Sequence, residues 1–374
     1  MRRFLYSLLL TVLISNCAFT QEREKSFFSI EGKVNLDTGT VNLRPVVDSE
    51  WYPQDLTATT ARISNGKFVL KGEITNPLGV YIEIQDVYYS PTYILSEGDQ
   101  SVKIDINHNN EFVGYKSRYD QEEQAYRSYF LRSKQHIPDY YQVRDSLEAK
   151  GKISGKDSLM LEKLLVLNYR NTDSTMLSYV QENPKSAVAF WHFAELSRFG
   201  FSPIFDTIYR SFDKNIRRSF TGKKLKEYLA ISGRMGKGKT LPKLVANDPS
   251  GVPIKANFYK SHEYTLVDFW YSSCGPCIAQ FPKLKELYNE YSHLGFNIIG
   301  ISTDRSEDIP QWRSAIKKFV LPWRQFIDEN AVFSESIGIA VYPSSYLIDR
   351  TGKIILVNVK PNLLEDFLEN RLHK

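Results

Sequence analysis

The sequence predicts an α/β domain at its C-terminal end, preceded by an all-β, sandwich-like domain and a helical region. Three observations predict it. Residues 27–106 alternate apolar and polar with a period of two, the pattern of half-buried strands. Residues 117–235 shift to the i, i+3, i+4 spacing of amphipathic helices. From Leu241 onward, near-continuous apolar runs alternate with helical patterns, as in a parallel sheet covered on both faces. A chain of 374 residues holds two or three domains at roughly 100–200 residues each. The expected division is a leader at 1–20, a β-rich part at 27–115, a helical part at 116–237 and the α/β domain at 238–374. With 42% hydrophobic and 24% charged residues, the composition is globular rather than disordered.

The leader has the anatomy of an export signal. Arg2 and Arg3 form a short basic region, and Phe4 to Ile14 is an apolar run of eleven residues. A membrane-spanning helix needs about twenty. Ala18-Phe19-Thr20 before Gln21 suits ordinary cleavage. Leu13-Ile14-Ser15-Asn16-Cys17 is also similar to a lipoprotein box, which would leave Cys17 as a lipid anchor. Both routes place the protein in the periplasm or cell envelope. The net charge is only +5, Arg2 and Arg3 included, and no dense Lys/Arg run occurs, so nucleic-acid binding has no electrostatic basis.

In the β part the clearest strands are 28–34, 67–74, 80–84 and 102–106, divided by Asn65-Gly66, Asn76-Pro77 and Glu97-Gly98-Asp99. They imply a small antiparallel domain. Tyr126, Tyr129 and Phe130 mark one helix of the middle region. Leu161, Leu164, Leu165 and Asn168 mark the next, and Ala187 to Leu196 a third. This region is either a helical subdomain or a spacer. Arg234 to Lys239, with Gly233, Gly236 and Gly238, is the linker candidate.

In the last domain, Thr265 to Tyr271 is a buried strand and Gly275 to Leu294 a helix stopped by Gly295. Phe296 to Ile301 is a second buried strand and Asp308 to Phe319 a second helix. Ser344 to Ile348 and Lys353 to Val359 are strands joined at Asp349-Arg350-Thr351-Gly352, and Leu363 to Leu372 is a terminal helix.

Cysteine usage singles out the chemistry. The chain has three cysteines: Cys17, Cys274 and Cys277. With Cys17 cleaved away or lipidated, one intramolecular pair remains. Its ring is too small to stabilise a large chain much. Cys274 falls where a strand ends and a helix begins, so unpaired N–H groups and the helix dipole favour its thiolate, the form that attacks disulfides. Cys277, one turn further in and expected to be more buried, can then displace a bound substrate. Gly275 permits close backbone approach, and Pro276 suits a first helical turn. A zinc site would need two further ligands at suitable spacing, and the six histidines (108, 136, 192, 262, 293, 373) form no paired motif. They are expected as surface or packed residues. A peroxidase would place one reactive cysteine in a different loop.

Asp268-Phe269-Trp270-Tyr271-Ser272-Ser273-Cys274-Gly275-Pro276-Cys277 resembles the active-site segment of the thioredoxin superfamily. Residues from about 240 to 374 resemble its exported TlpA/ResA-like branch. Val341-Tyr342-Pro343 before Ser344 to Asp349 is similar to the family's cis-proline loop, and 300–337 to the branch's strand-helix-strand insertion. The resemblance implies dithiol–disulfide exchange on protein substrates with no metal or organic cofactor. It also implies a membrane-embedded thiol–disulfide electron donor, Pro343 against the cysteines, and Tyr342 offering backbone hydrogen bonds to substrate. Asp268 matches the buried acid that accepts a proton from the second cysteine. Two positions depart from the pattern. Ser273 replaces the tryptophan of thioredoxins. Gln280 stands where members dedicated to cytochrome c maturation often carry glutamate. The Gly-Pro pair between the cysteines resembles reducing members. The alternative reading is an envelope binding protein, whose residues 27–235 recognise a partner or glycan, with the redox pair secondary; an aromatic-lined groove in the β domain would suit a carbohydrate or peptide.

Overall fold

The computed structural model describes residues 25–52, 56, 59–107, 112, 114–151 and 153–372. The predicted leader at 1–20, with Cys17, lies outside the described residues, as do His108 and His373.

Nine strands among the described residues form one sheet: β1 (Ser26–Val34), β2 (Thr38–Pro45), β3 (Thr60–Ser64), β4 (Lys67–Ile74), β5 (Leu78–Ile84), β6 (Tyr88–Tyr89), β7 (Tyr93–Leu95), β8 (Gly98–Ile104) and β9 (Gly114–Lys116). Their order is β6-β5-β2-β3-β4-β1-β8-β9, with β7 also on β5. Alternation sends Phe28 and Ile30 of β1, and Phe68 and Leu70 of β4, into the core. Asn65 and Gly66, both at positive φ, make the two-residue turn between β3 and β4. One pair departs from an all-antiparallel domain, since β1 is antiparallel to β4 but parallel to β8. Period-two alternation sets which face of a strand is buried and carries no information on its direction.

Among the described residues seven helices follow: α1 (Asp120–Lys134), α2 (Tyr140–Glu148), α3 (Gly155–Glu182), α4 (Ala187–Ser197), α5 (Phe205–Ser211), α6 (Lys214–Arg218) and α7 (Phe220–Ser232). Several carry their own start signals. Ser154 and Asp157 form a capping box on α3, and Ser186 caps α4 through Ala189 N. Helix α4 is apolar nearly all round, which marks a helix buried between other elements. It lies on β5. Trp191 covers Gly79 so closely that a Cβ there would come within 2.8 Å of the indole. The Trp191 Nε1–H donates to Pro77 O at 3.0 Å, and the ring stacks on Tyr52 at 5.4 Å. The sheet and these helices share one continuous hydrophobic cluster, so the helical region is packed structure and not a spacer. His192 belongs to this packing, stacked on Tyr126 with Nε2 3.1 Å from Glu123.

The C-terminal part contains β10 (Tyr264–Trp270), α8 (Gly275–Tyr291), β11 (Phe296–Ser302), α9 (Ile309–Phe319), β12 (Arg324–Ile327), α10 (Val332–Ser336), β13 (Ser344–Asp349), β14 (Ile354–Val357) and α11 (Pro361–Leu372). The sheet order is β12-β11-β10-β13-β14. The first three strands are parallel, and β13 and β14 run antiparallel to their neighbours. Each face has its own core. Leu266, Trp270, Phe281, Leu284 and Leu364 fill one, and Val267, Phe269, Ile299, Ile301 and Ile348 the other. Gly295, at φ 103°, ends the turn after α8.

The linker candidate is tied down. Met235 is buried, and Gly238 and Lys239 exchange backbone hydrogen bonds with Ile354 at the edge of β14. A second tie joins the middle region to the last helix. The Glu162 carboxylate of α3 accepts from Asn362 Nδ2 and Leu363 N, at 2.8 and 2.9 Å. It thereby serves the Leu363 N–H, a first-turn donor that α11 itself leaves unpaired.

Candidate active site

The centre of the site is where β10 gives way to α8. The chain leaves β10 at Trp270, turns through Tyr271, Ser272 and Ser273, and enters the helix with Cys274 as its N-cap. Pro276 occupies the first turn, where its missing N–H costs nothing. Cys274 and Cys277 are joined in a disulfide, with Cα atoms 5.3 Å apart. Cys277 N–H donates to Cys274 Sγ at 3.2 Å. The helix therefore presents a backbone donor to this sulfur, the local cause expected to favour its thiolate in the reduced state.

The expected difference in burial between the two cysteines is absent. Each is 1% exposed. In the disulfide both sulfurs belong to the hydrophobic cluster of α8, against which Tyr271 and Tyr342 also pack. These two rings meet edge to face, with centroids 5.5 Å apart. The Tyr342–Pro343 peptide bond is cis.

Asp268 lies on β10 between Gly300 of β11 and Ser345 of β13. Alternate strand residues share a face, so Asp268 lies with Leu266 and Trp270 on the side that packs against α8 and the cysteines. It is 3% exposed, and burial raises its pKa from 3.8 to about 7. Trp270 donates Nε1–H to Gln325 Oε1 at 3.2 Å, and Gln325 lies over Gly300, the residue beside Asp268. A groove of about 400 Å³ begins at Ser273. Tyr271, Thr303, Arg305, Glu335 and Tyr342 also line it.

Of the expected site residues, Cys274 to Cys277 form the start of α8, Asp268 lies on the β10 face that packs against that helix, and Tyr342, next to cis-Pro343, packs against the cysteine cluster. Sequence reading missed Asp304. This carboxylate follows β11 and is buried. It accepts from Ser272 N at 3.0 and 2.9 Å, Ser272 Oγ at 2.6 Å and Ser302 Oγ at 2.5 Å. A signal was present. Ser302-Thr303-Asp304 closes a buried parallel strand, and sites in such sheets gather at the carboxyl ends of the strands.

A model of the Redoxin family matches residues 236–370, and a domain of unknown function, DUF4369, matches residues 28–158. The thiol-disulfide oxidoreductase ResA of Bacillus cereus is 30% identical over 147 residues, 39% of this chain and 83% of that protein. ResA of Bacillus anthracis is 30% identical over 132 residues, 34% of this chain and 72% of its own. Among solved structures, the thioredoxin domain of a thiol-disulfide oxidoreductase from Bacteroides vulgatus is 31% identical. It covers 37% of this chain and 98% of its own, with a TM-score of 0.34. The class is thus a thioredoxin-like enzyme of dithiol–disulfide exchange. Within it, the chain belongs to the TlpA/ResA-like branch of the thioredoxin superfamily and carries an additional N-terminal domain.

Proposed function

We propose that this chain reduces protein disulfides in the cell envelope, with Cys274 as attacking thiolate and Cys277 as resolving thiol. The observation that carries the reading is Cys274 at the N-cap of α8, bonded to Cys277 one turn in, with the Cys277 N–H on its sulfur. In the reduced protein, the Cys274 thiolate attacks one sulfur of a substrate disulfide. A mixed disulfide forms, and the other substrate sulfur leaves with the electron pair and takes a proton from water. Cys277 then gives its proton to the Asp268 carboxylate and attacks Cys274 Sγ. The first substrate sulfur departs with the electron pair of its bond to Cys274 and takes a proton from water, becoming the second thiol. The substrate has gained two electrons and two protons, and the pair has become a disulfide. A carboxyl near pH 7 suits this proton transfer.

Gly275 and Pro276 shape the entry into α8. Tyr342 and Pro343 are assigned the backbone contact with substrate. A membrane-embedded thiol–disulfide donor returns electrons to the pair. Residues 1–20 direct export, ending in cleavage before Gln21 or in a lipid on Cys17. Among the described residues no helix is long and apolar enough to cross a membrane, so on this reading any anchor belongs to the leader.

Cys277→Ser leaves the mixed disulfide unresolved and should capture client proteins in cells on gels run without reductant. The wild-type chain, supplied with a small dithiol, should reduce a protein disulfide. Its couple should lie at about −270 mV, near the thioredoxin value, and not near the −120 mV of a strong oxidant. A chain that captures nothing and reduces nothing would end this reading, and a potential near −120 mV would reverse its direction.

A further inference from the structure

The loop before Cys274 has no strand or helix of its own to hold it. Asp304, just beyond the neighbouring strand β11, ties it down next to the backbone bond from Thr303 N to Trp270 O. Ser272 gives both its N–H and its hydroxyl to Asp304, and Ser302 gives its hydroxyl to the same carboxylate. Asp304 is buried, and three donor groups satisfy its carboxyl oxygens away from water. The same stretch reaches the other side of the site. Asp328 N donates to Ser302 O and Asn330 N to Asp304 O. The buried Asp328 carboxylate in turn accepts from Phe333 N, Ser334 N and Ser334 Oγ, holding the start of α10. From α10 the chain runs through 337–341 to Tyr342 and Pro343. The two segments that meet at the disulfide are therefore moored to one short stretch at the ends of β11 and β12.

We infer that Asp304 is a positioning residue for disulfide exchange: through Ser272 it fixes the backbone that carries Cys274, and so sets how the attacking sulfur is presented to substrate. The inference rests on the assignment of Cys274 as the attacking thiol. Alternative explanations are weaker on geometry. A carboxylate kept only for fold stability has no reason to accept two hydrogen bonds from the residue two before the reactive cysteine. A merely solvated loop would not bring both the N–H and the hydroxyl of Ser272 to one buried carboxyl group.

Presentation of a reacting atom is steep in distance, and a displacement of about 1 Å can cost about 100-fold in rate. Losing part of this mooring should therefore cost about tenfold. The test uses the full chain in its reduced form and two readouts. One is the rate of reduction of a small aromatic disulfide, and the other is the pH dependence of Cys274 alkylation. Ser272→Ala removes one donor and leaves the Asp304 charge less compensated, so the thiol pKa of Cys274 should rise and the rate fall about tenfold. Ser272→Thr keeps the hydroxyl and should stay within about twofold of the wild type. Asp304→Asn should slow exchange at least as much as Ser272→Ala. The double variant should be slower than Asp304→Asn alone by no more than about twofold, because both act through one contact.

If both single variants keep the wild-type rate and thiol pKa while losing thermal stability, Asp304 is only structural and the inference falls. A multiplicative double variant overturns it as well. Should Asp304→Asn fail to fold, the Ser272→Ala and Ser272→Thr pair still decides. A wild-type chain inert towards all disulfides would instead remove the assignment of the site, which is a separate outcome.

Discussion

Asp268 makes two measurable demands on the protein, one on stability and one on rate. Burial lifts its pKa from 3.8 to about 7. At 1.36 kcal/mol per pH unit, that difference corresponds to about 4 kcal/mol. Below pH 3.8 folded and unfolded chains both hold the proton, and the carboxyl contributes no pH dependence. Between 3.8 and about 7 the unfolded chain releases it while the folded chain keeps it, so stability falls as pH rises. Above about 7 the loss is complete and stays constant. Asp268→Asn removes the titration. Urea unfolding of the oxidised chain from pH 3.5 to 8.5, with wild type and variant compared at each pH, cancels the other titrating groups. The difference should grow to about 4 kcal/mol at the upper end. The same variant should slow release of substrate from the mixed disulfide by about 100-fold, the low end of general-base effects, and flatten the rise of that rate through pH 7. A pH-independent stability difference would show that Asp268 does not hold its proton in the folded state. A flat difference in release rate would show that it is not the proton acceptor for Cys277.

Two further outcomes follow from packing and capping. Gly300→Ala would set a Cβ 2.3 Å from Gln325 Oε1 and push that side chain off Trp270; unfolding in urea should show a loss of about 1–3 kcal/mol. Glu162→Ala removes the acceptor that α3 offers to the first turn of α11. Hydrogen exchange at Leu363 should accelerate by an amount corresponding to about 1 kcal/mol, while the rate of disulfide exchange at Cys274 and Cys277 stays unchanged.

Much of the C-terminal domain was legible because its signals are local. The apolar run of β10, the helix that ends before Gly295 and the strands on either side of Asp349 to Gly352 each follow from a period or a turn residue within a few positions. The middle region was less legible. Its first and third helices carry clear stripes and its fourth an apolar run, while α5 and α6 span only seven and five residues, too few for a period to show. The parallel seat of β8 beside β1 was also hidden, since alternation alone does not orient a strand.

By itself the sequence determined the position of the cysteine pair. Cys-Gly-Pro-Cys at a strand-to-helix junction places one sulfur at a helix N-terminus and the other a turn away, and four adjacent residues suffice for that. It also determined that Asp268 would stand on the strand leading there. Only the tertiary structure decided the surroundings. Asp304 reaches Ser272 across 32 residues, Gln325 reaches Trp270 across 55, and Glu162 reaches Leu363 across 201. The equal burial of the two cysteines and the proton held by Asp268 belong to the same level. Both arise from desolvation, which depends on what the whole fold packs around a group and not on the residues next to it in the chain.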